Sequence, residues 1–436
     1  MPTDCYLVEG GHALRGNLVP AGSKNAALPQ LAASLLSDRT VCIENLPRIR
    51  DVRTMIAILE SLGTEVEQPS EQSVRLTSAL PDPDGLDSGI CRKVRSSILL
   101  AGPLLARCGR LELPPPGGDV IGKRRLDTHF LALESLGAEV EFDGRNISLS
   151  TSVLKGCSIH LDEPSVTATE NAMMAASVAE GESVIYNAAC EPNVQDLARM
   201  LNRMGASVRG AGTNRLEIEG RGGLLEPAEH RVAPDHIEIG SFVGLAACCG
   251  GEVRIEGVPE GIVHPTLRTF QRFGVRTVFE GDALIVPAGQ ELVVRSDRSG
   301  AIPTIYDGPW PGFSPDLTST AVVLATQARG TSLIFEKMFE SRLFFVDKLV
   351  AMGGRIIQCD PHRVVVSGPS TLRGTEVFSP DIRAGMALLT AALCAEGTSL
   401  IRNVHQIERG YQNLVDRLRA LGAEISSGPP LRWDHT

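Results

Sequence analysis

The chain has 436 residues, 43% hydrophobic, 22% charged and 4% aromatic, a globular composition with too few aromatic rings for a base-stacking platform. Its 42 basic against 52 acidic residues leave a formal charge of -10, so the whole-molecule field repels a polyanion; general nucleic-acid binding is disfavoured, a local cationic pocket is not. No run approaches the roughly 20 apolar residues of a membrane span, the N-terminus lacks the basic and apolar regions of a signal peptide, and ten cysteines without a Cys-x-x-Cys pair read as free thiols; a cytoplasmic protein is expected.

A strand is predicted at 5–9, ahead of six similar units. Each unit pairs an Ala-rich helix, apolar all round and therefore buried on all sides, with a strand, an amphipathic helix, a glycine stop and a short β-rich run such as 139–142. The apolar helices are predicted over 24–36, 95–106, 169–179, 237–249, 317–328 and 383–395. The stops are Gly63, Gly137, Gly205, Gly274, Gly353 and Gly422, most visible in the near-identical stretches 136–140 and 421–425. The stretch 220–234, with Arg-Gly-Gly and Pro-Ala-Glu, reads as a hinge between the third and fourth units. Three units of about 70 residues suffice for one domain. The expected division is therefore a lobe over 23–233 and a second lobe of 1–22 plus 234–436, closed by the N-terminal strand.

Polar residues gather where the buried helices begin: Gly22-Ser23-Lys24-Asn25, Lys93-Val94-Arg95-Ser96 and Asp381-Ile382-Arg383. A helix N-terminus with a cation beside it is an anion site, although any single copy is equally an N-cap with a solvated charge. The stretch 113–125 stiffens with three prolines, loosens with two glycines and ends in an acid and a basic run; it reads as a lid closing on an anion, or as a solvated basic loop. Asp316 alone reads as an N-cap of the helix at Leu317, and His129, His236 and His405 as structural histidines.

Lys24-Asn25-Ala26-Ala27-Leu28-Pro29, the Pro-Gly-Gly-x-x-Ile-Gly lid, Pro164-Ser165-Val166 with Ala168-Thr169-Glu170-Asn171, Pro311-Gly312-Phe313 before Asp316, Phe339-Glu340-x-Arg342 and Ile407-Glu408-Arg409-Gly410-Tyr411 together resemble the enolpyruvyl transferases, in their nucleotide-sugar branch more than their shikimate branch. The resemblance runs from about residue 6 to 425. It implies an α/β fold, a two-lobed inside-out α/β barrel with six helix-sheet repeats, three per lobe, that closes on its substrates. It also implies transfer of the enolpyruvyl group of phosphoenolpyruvate to the 3-hydroxyl of UDP-N-acetylglucosamine with loss of phosphate, the first committed step of peptidoglycan synthesis. No cofactor, metal, nucleic acid, membrane or obligate protein partner is implied.

By the same resemblance Lys24, Arg124, Arg383, Arg409 and Arg342 hold phosphoenolpyruvate, and Asp316 accepts the proton of the attacking hydroxyl. Asn25, Arg95, Arg124, Arg125, Leu126, Asp127, Ser165, Val166, Thr167, Asp316 and Met338 line the nucleotide sugar, with Glu340 and Asp381 behind them. Asp119 stands where most members carry the lid cysteine that gives the proton and that the epoxide fosfomycin alkylates, so catalysis with Asp119 as the acid and insensitivity to fosfomycin are expected. An aspartic acid in that role must be kept protonated above its ordinary range of about 3.9. Further departures are Asp235-His236 for Asp-Arg, Arg125 for Pro, Ser165-Val166-Thr167 for Ser-Val-Gly and Ser314-Pro315-Asp316 for Pro-Thr-Asp. They fall on the acceptor side, which leaves two alternatives open: another nucleotide acceptor such as UMP, or a paralogue that binds without turnover.

Overall fold

A helix with no polar face has to be enclosed, and the computed structural model, which describes residues 5–117, 125–143 and 146–429, encloses six of them. The chain divides into two compact units. The continuous unit begins at Gly22 and ends at Ala233; the discontinuous unit joins the segment up to Ala21 to everything from Pro234 onward. Each has its own apolar core.

In the continuous unit the helices are α1 (Lys24–Ala33), α2 (Arg50–Ser61), the short α3 (Ser88–Cys91), α4 (Ala101–Cys108, entered through the 3-10 turn Arg95–Leu100), α5 (Asp127–Ser135), α6 (Val166–Val178) and α7 (Pro192–Arg203). In the discontinuous unit they are α8 (His236–Cys249), α9 (Glu260–Phe270), α10 (Thr318–Gln327), α11 (Val346–Ala351), α12 (Ile382–Cys394) and α13 (Leu414–Ala420). The apolar helices α1, α4 and α6 are central to one unit, and α8, α10 and α12 pack pairwise in the other. Small residues permit the close approach: a Cβ added at Gly102 of α4 would lie 2.7 Å from the Asn171 carbonyl oxygen of α6.

Six separate sheets flank these helices, five of four strands and one of three, one sheet per predicted repeat; among the described residues none closes into a barrel. All six stop glycines have positive φ, from 84° at Gly63 to 103° at Gly353. A side chain there would meet the left-handed penalty, which is why the helix-to-strand reversal is written in glycine.

Each unit ties its ends together. The strand Cys5–Glu9 lies between Thr398–Arg402 and Glu424–Gly428, antiparallel to both. Gly16–Leu18, which the sequence pattern does not reveal, pairs parallel to Val253–Ile255. The 220–234 stretch is no free hinge: Glu229–Arg231 adds parallel to Val41–Glu44, and buried His230 sits 3.2 Å from the Asp196 carboxylate, which also accepts from Gln30 at 2.8 Å. The glycines and proline read as breakers only turn the chain into this strand, and the crossing between units falls at Ala233–Pro234.

Candidate active site

In the discontinuous unit the chemistry gathers around Asp316. Ser314, not Asp316, caps the 3-10 turn Pro315–Leu317 that leads into α10, so the Asp316 carboxylate is available to side chains. Its Oδ1 accepts from Arg342 Nη2 at 2.9 Å, and its Oδ2 from Arg383 Nε at 3.1 Å and Nη2 at 3.0 Å. Both arginines are buried, while the carboxylate remains 23% exposed, a charged group clamped from two sides yet reachable.

Arg383 occupies the first turn of α12, whose N-cap Asp381 accepts from the Arg383 and Ala384 amides at 2.8 and 3.0 Å. Its Nη1 donates to the Tyr411 hydroxyl at 3.2 Å, and that hydroxyl is 2.8 Å from Ser241 Oγ on α8. Burial opposes the guanidinium charge, but Asp316, Tyr411 and Asp235 outweigh it and hold Arg383 above its ordinary range. Arg409 ends the 3-10 turn Val404–Arg409, half-buried, its Nη1 3.0 Å from Gln406 Oε1. His236 is buried edge-on to Trp310, and burial lowers its imidazole against the pull of Asp235 and Asp316.

In the continuous unit Ser23 caps α1, and Lys24 Nζ forms a buried ion pair with Asp51 at 2.7 Å. Asn25 is the single residue of α1 that is not buried. Arg95 donates to the Arg125 carbonyl at 3.2 Å; Arg125 in turn pairs with Asp127 at 3.1 Å and Asp162 at 3.5 Å, and half-buried Leu126 precedes α5 without a side-chain cap.

Ser165 caps α6, with Val166 and Thr167 in its first turn. Here the tautomer of a histidine is set by its neighbours. Asn171 accepts from the Gly102 amide through Oδ1 at 3.0 Å and donates through Nδ2 to the Ile98 carbonyl at 2.7 Å, so its Nδ2 is also the donor to His129 Nδ1 at 2.9 Å. His129 then carries its proton on Nε2 and donates to Thr167 Oγ1 at 3.0 Å. Burial, aided by the Arg95 charge, pushes this imidazole down to about 3. The Thr167 side chain is thereby held in place as an acceptor.

Residues 118–124 of the lid, Asp119 and Arg124 among them, lie outside the described residues. Met338 is 39% exposed, and Glu340 is a surface residue; the carboxylate buried beside Arg342 is Glu336 instead. Sequence reasoning also missed Asp51, Tyr411 as a partner of Arg383, and the His129–Thr167 link. The first-turn acid of α2 is the one local hint of Asp51. The cleft formed by Leu46, Arg48, Ile56 and Val74 contains none of the predicted site residues.

Two units of helix-sheet repeats whose buried helices open on polar or charged first turns define a carboxyvinyl-transferase scaffold, and the chain belongs to the EPSP synthase (3-phosphoshikimate 1-carboxyvinyltransferase) family, whose model matches residues 8–418. Within that family it is 53% identical to the UDP-N-acetylglucosamine 1-carboxyvinyltransferase of Treponema denticola over 96% of this chain and 98% of that one. It is also 53% identical to the protein of the same name from Bradyrhizobium diazoefficiens, over 97% and 98%. The enolpyruvyl transferase NikO from Streptomyces tendae shares the fold with a TM-score of 0.85 at 24% identity, over 98% of this chain and 100% of that chain.

Proposed function

We propose that the protein transfers the enolpyruvyl group of phosphoenolpyruvate to the 3-hydroxyl of UDP-N-acetylglucosamine by addition and elimination. The observation that carries this reading is the near-full-length likeness to relatives bearing that activity in their name. Asp316 takes the hydroxyl proton as the sugar oxygen bonds to C2 of phosphoenolpyruvate, and Asp119 gives a proton to C3. In the second half Asp119 takes a proton back from C3 as the C2–O bond to phosphate breaks, and the proton held by Asp316 leaves with the inorganic phosphate, so both acids return to their starting states. Arg342, Arg383 and Arg409, with Lys24 and Arg124, carry the negative charge of phosphoenolpyruvate and of the tetrahedral intermediate, the role for which fixed guanidinium groups serve best.

The sugar nucleotide is held by Asn25, Arg95, Arg125 and the start of α6, with Leu126, Asp127 and Met338 beside it. Thr167 accepts from His129, which fixes its side chain and leaves its own hydroxyl proton free to donate to the bound nucleotide. Asp316 and Arg409 are both present, which speaks against a paralogue without turnover. Ten free cysteines support the cytoplasm as the compartment. Phosphate release from phosphoenolpyruvate, measured with UDP-N-acetylglucosamine, UMP and UDP-glucose in parallel, tests the reading. Release with UDP-N-acetylglucosamine alone is expected; release with UMP alone, or with none, overturns it.

A further inference from the structure

The parallel strands Thr304–Tyr306 and Gly330–Phe335 run in register, Tyr306 opposite Phe335, and the next residue on each is an acid. Asp307 and Glu336 therefore leave the sheet side by side, 1% and 0% exposed. One oxygen of each is satisfied by backbone: Asp307 Oδ1 accepts from the Lys337 amide at 2.5 Å, and Glu336 Oε1 from the Met338 and Phe339 amides at 3.3 and 3.1 Å. The second oxygen of each, Asp307 Oδ2 and Glu336 Oε2, is buried without a hydrogen-bond partner. Two ionised carboxylates cannot face each other in a dry interior, whereas one proton between them turns two orphaned acceptors into a donor and an acceptor.

We propose that Asp307 and Glu336 hold one proton between them and act as a positioning pair that aims the Arg342 guanidinium at Asp316. Arg342 Nη2 bonds Asp316 at 2.9 Å, while its Nε stands 3.9 Å from Glu336 Oε2, beyond a hydrogen bond. Around Glu336 stand Asp307 from the end of one strand, Thr318 from the start of α10, Arg342 from the following turn, and His362, whose Nδ1 is 2.7 Å from the Glu336 carbonyl oxygen. With the proton in place, the pair, Arg342, Arg383 and Asp316 are neutral as a set. Without it, a second negative charge competes with Asp316 for Arg342. Burial first, and Asp307 second, hold Glu336 well above the ordinary carboxylate range, so the competing charge develops only under alkaline conditions.

The inference rests on Asp316 serving the proposed transfer, and two measurements separate its failure from that of the reaction. Glu336→Gln keeps the shape and hydrogen bonding of the neutral acid. Its kcat at pH 7 is expected within about threefold of the parent, with the alkaline decline of kcat shifted upward or abolished, while Glu336→Ala loses about tenfold or more in kcat with little change in KM. Infrared spectra of the parent at neutral pH should show a protonated carboxyl band that Glu336→Gln removes, a readout independent of turnover and of whether the alanine variant folds. A glutamine variant as impaired as the alanine variant, or no band lost, makes Glu336 a charged counter-ion and overturns the proposal. Absence of phosphate release in the parent overturns the reaction instead, and the infrared band still decides the shared proton.

Discussion

Asp316→Asn isolates the charge at the centre of the clamp, because the amide is nearly isosteric and its oxygen still accepts one hydrogen bond. A positioned base contributes about 10²–10⁴ in rate, so kcat is expected to fall by that factor, about 3–5 kcal/mol in activation free energy. The effect on anion binding has the opposite sign. The carboxylate neutralises Arg342 and Arg383 at 2.9 to 3.1 Å, and each such pair is worth about 1.4–5.5 kcal/mol between the limits of water and a protein surface. Since Asp316 is 23% exposed, the lower end applies. Losing it leaves two cations facing the bound anion, and phosphoenolpyruvate affinity is expected to rise about three- to tenfold. The same two buried arginines lose a partner, so the melting temperature should fall without ligand and recover with phosphate. Steady-state phosphate release gives kcat, and isothermal titration with phosphoenolpyruvate gives affinity. A kcat within about threefold of the parent refutes the base assignment; affinity falling in parallel with kcat shows that Asp316 only arranges the arginines.

Three further outcomes are expected. His129 is held at about 3 in the fold against an ordinary 6.5, so the unfolded chain binds the proton that the fold refuses; its contribution is complete above pH 6.5 and is lost as pH falls, by about 2 kcal/mol at pH 5. Melting temperatures of the parent and His129→Asn should therefore converge between pH 7 and pH 5, and parallel curves would refute the assignment. Asp51→Ala strips Lys24 of its buried ion-pair partner at 2.7 Å, costing about 3–5 kcal/mol; because a single flexible ammonium, unlike the doubly packed arginines, loses its fixed position with that carboxylate, KM for phosphoenolpyruvate is expected to rise, and an unchanged melting temperature and KM would remove Lys24 from the site. Fosfomycin should leave the parent unmodified and active, whereas Asp119→Cys should become alkylated by mass, since a thiolate opens an epoxide far faster than a carboxylate. Alkylation at Asp119 itself would contradict this.

Much of the fold was legible because its signals are local. Helices with no polar face announce their burial, and the six glycines announce the six reversals, since a left-handed residue is required wherever an amphipathic helix turns straight into a strand. Boundaries missed by a few residues, as at α6, where capping by Ser165 starts the helix at Val166 and not near Thr169, because the cap and not the apolar pattern sets the first turn. The Pro-Ala-Glu stretch misled for the opposite reason: breakers mark a turn but carry no information about the partner of the next segment, here a strand claimed by Val41–Glu44 far back in the chain.

The site divides along the same line. The sequence by itself determined which residue types open several of the buried helices, and so singled out Lys24, Asn25, Arg95, Asp381 and Arg383, because helix starts are written within a few neighbouring residues; Ser165 came only with the family resemblance. Only the tertiary structure decided their partners: Lys24 with Asp51, Asp316 between Arg342 and Arg383, Thr167 with His129, and Asp307 beside Glu336. Each of these contacts joins different elements brought together by packing and strand register, and no periodicity or cap carries information over that distance.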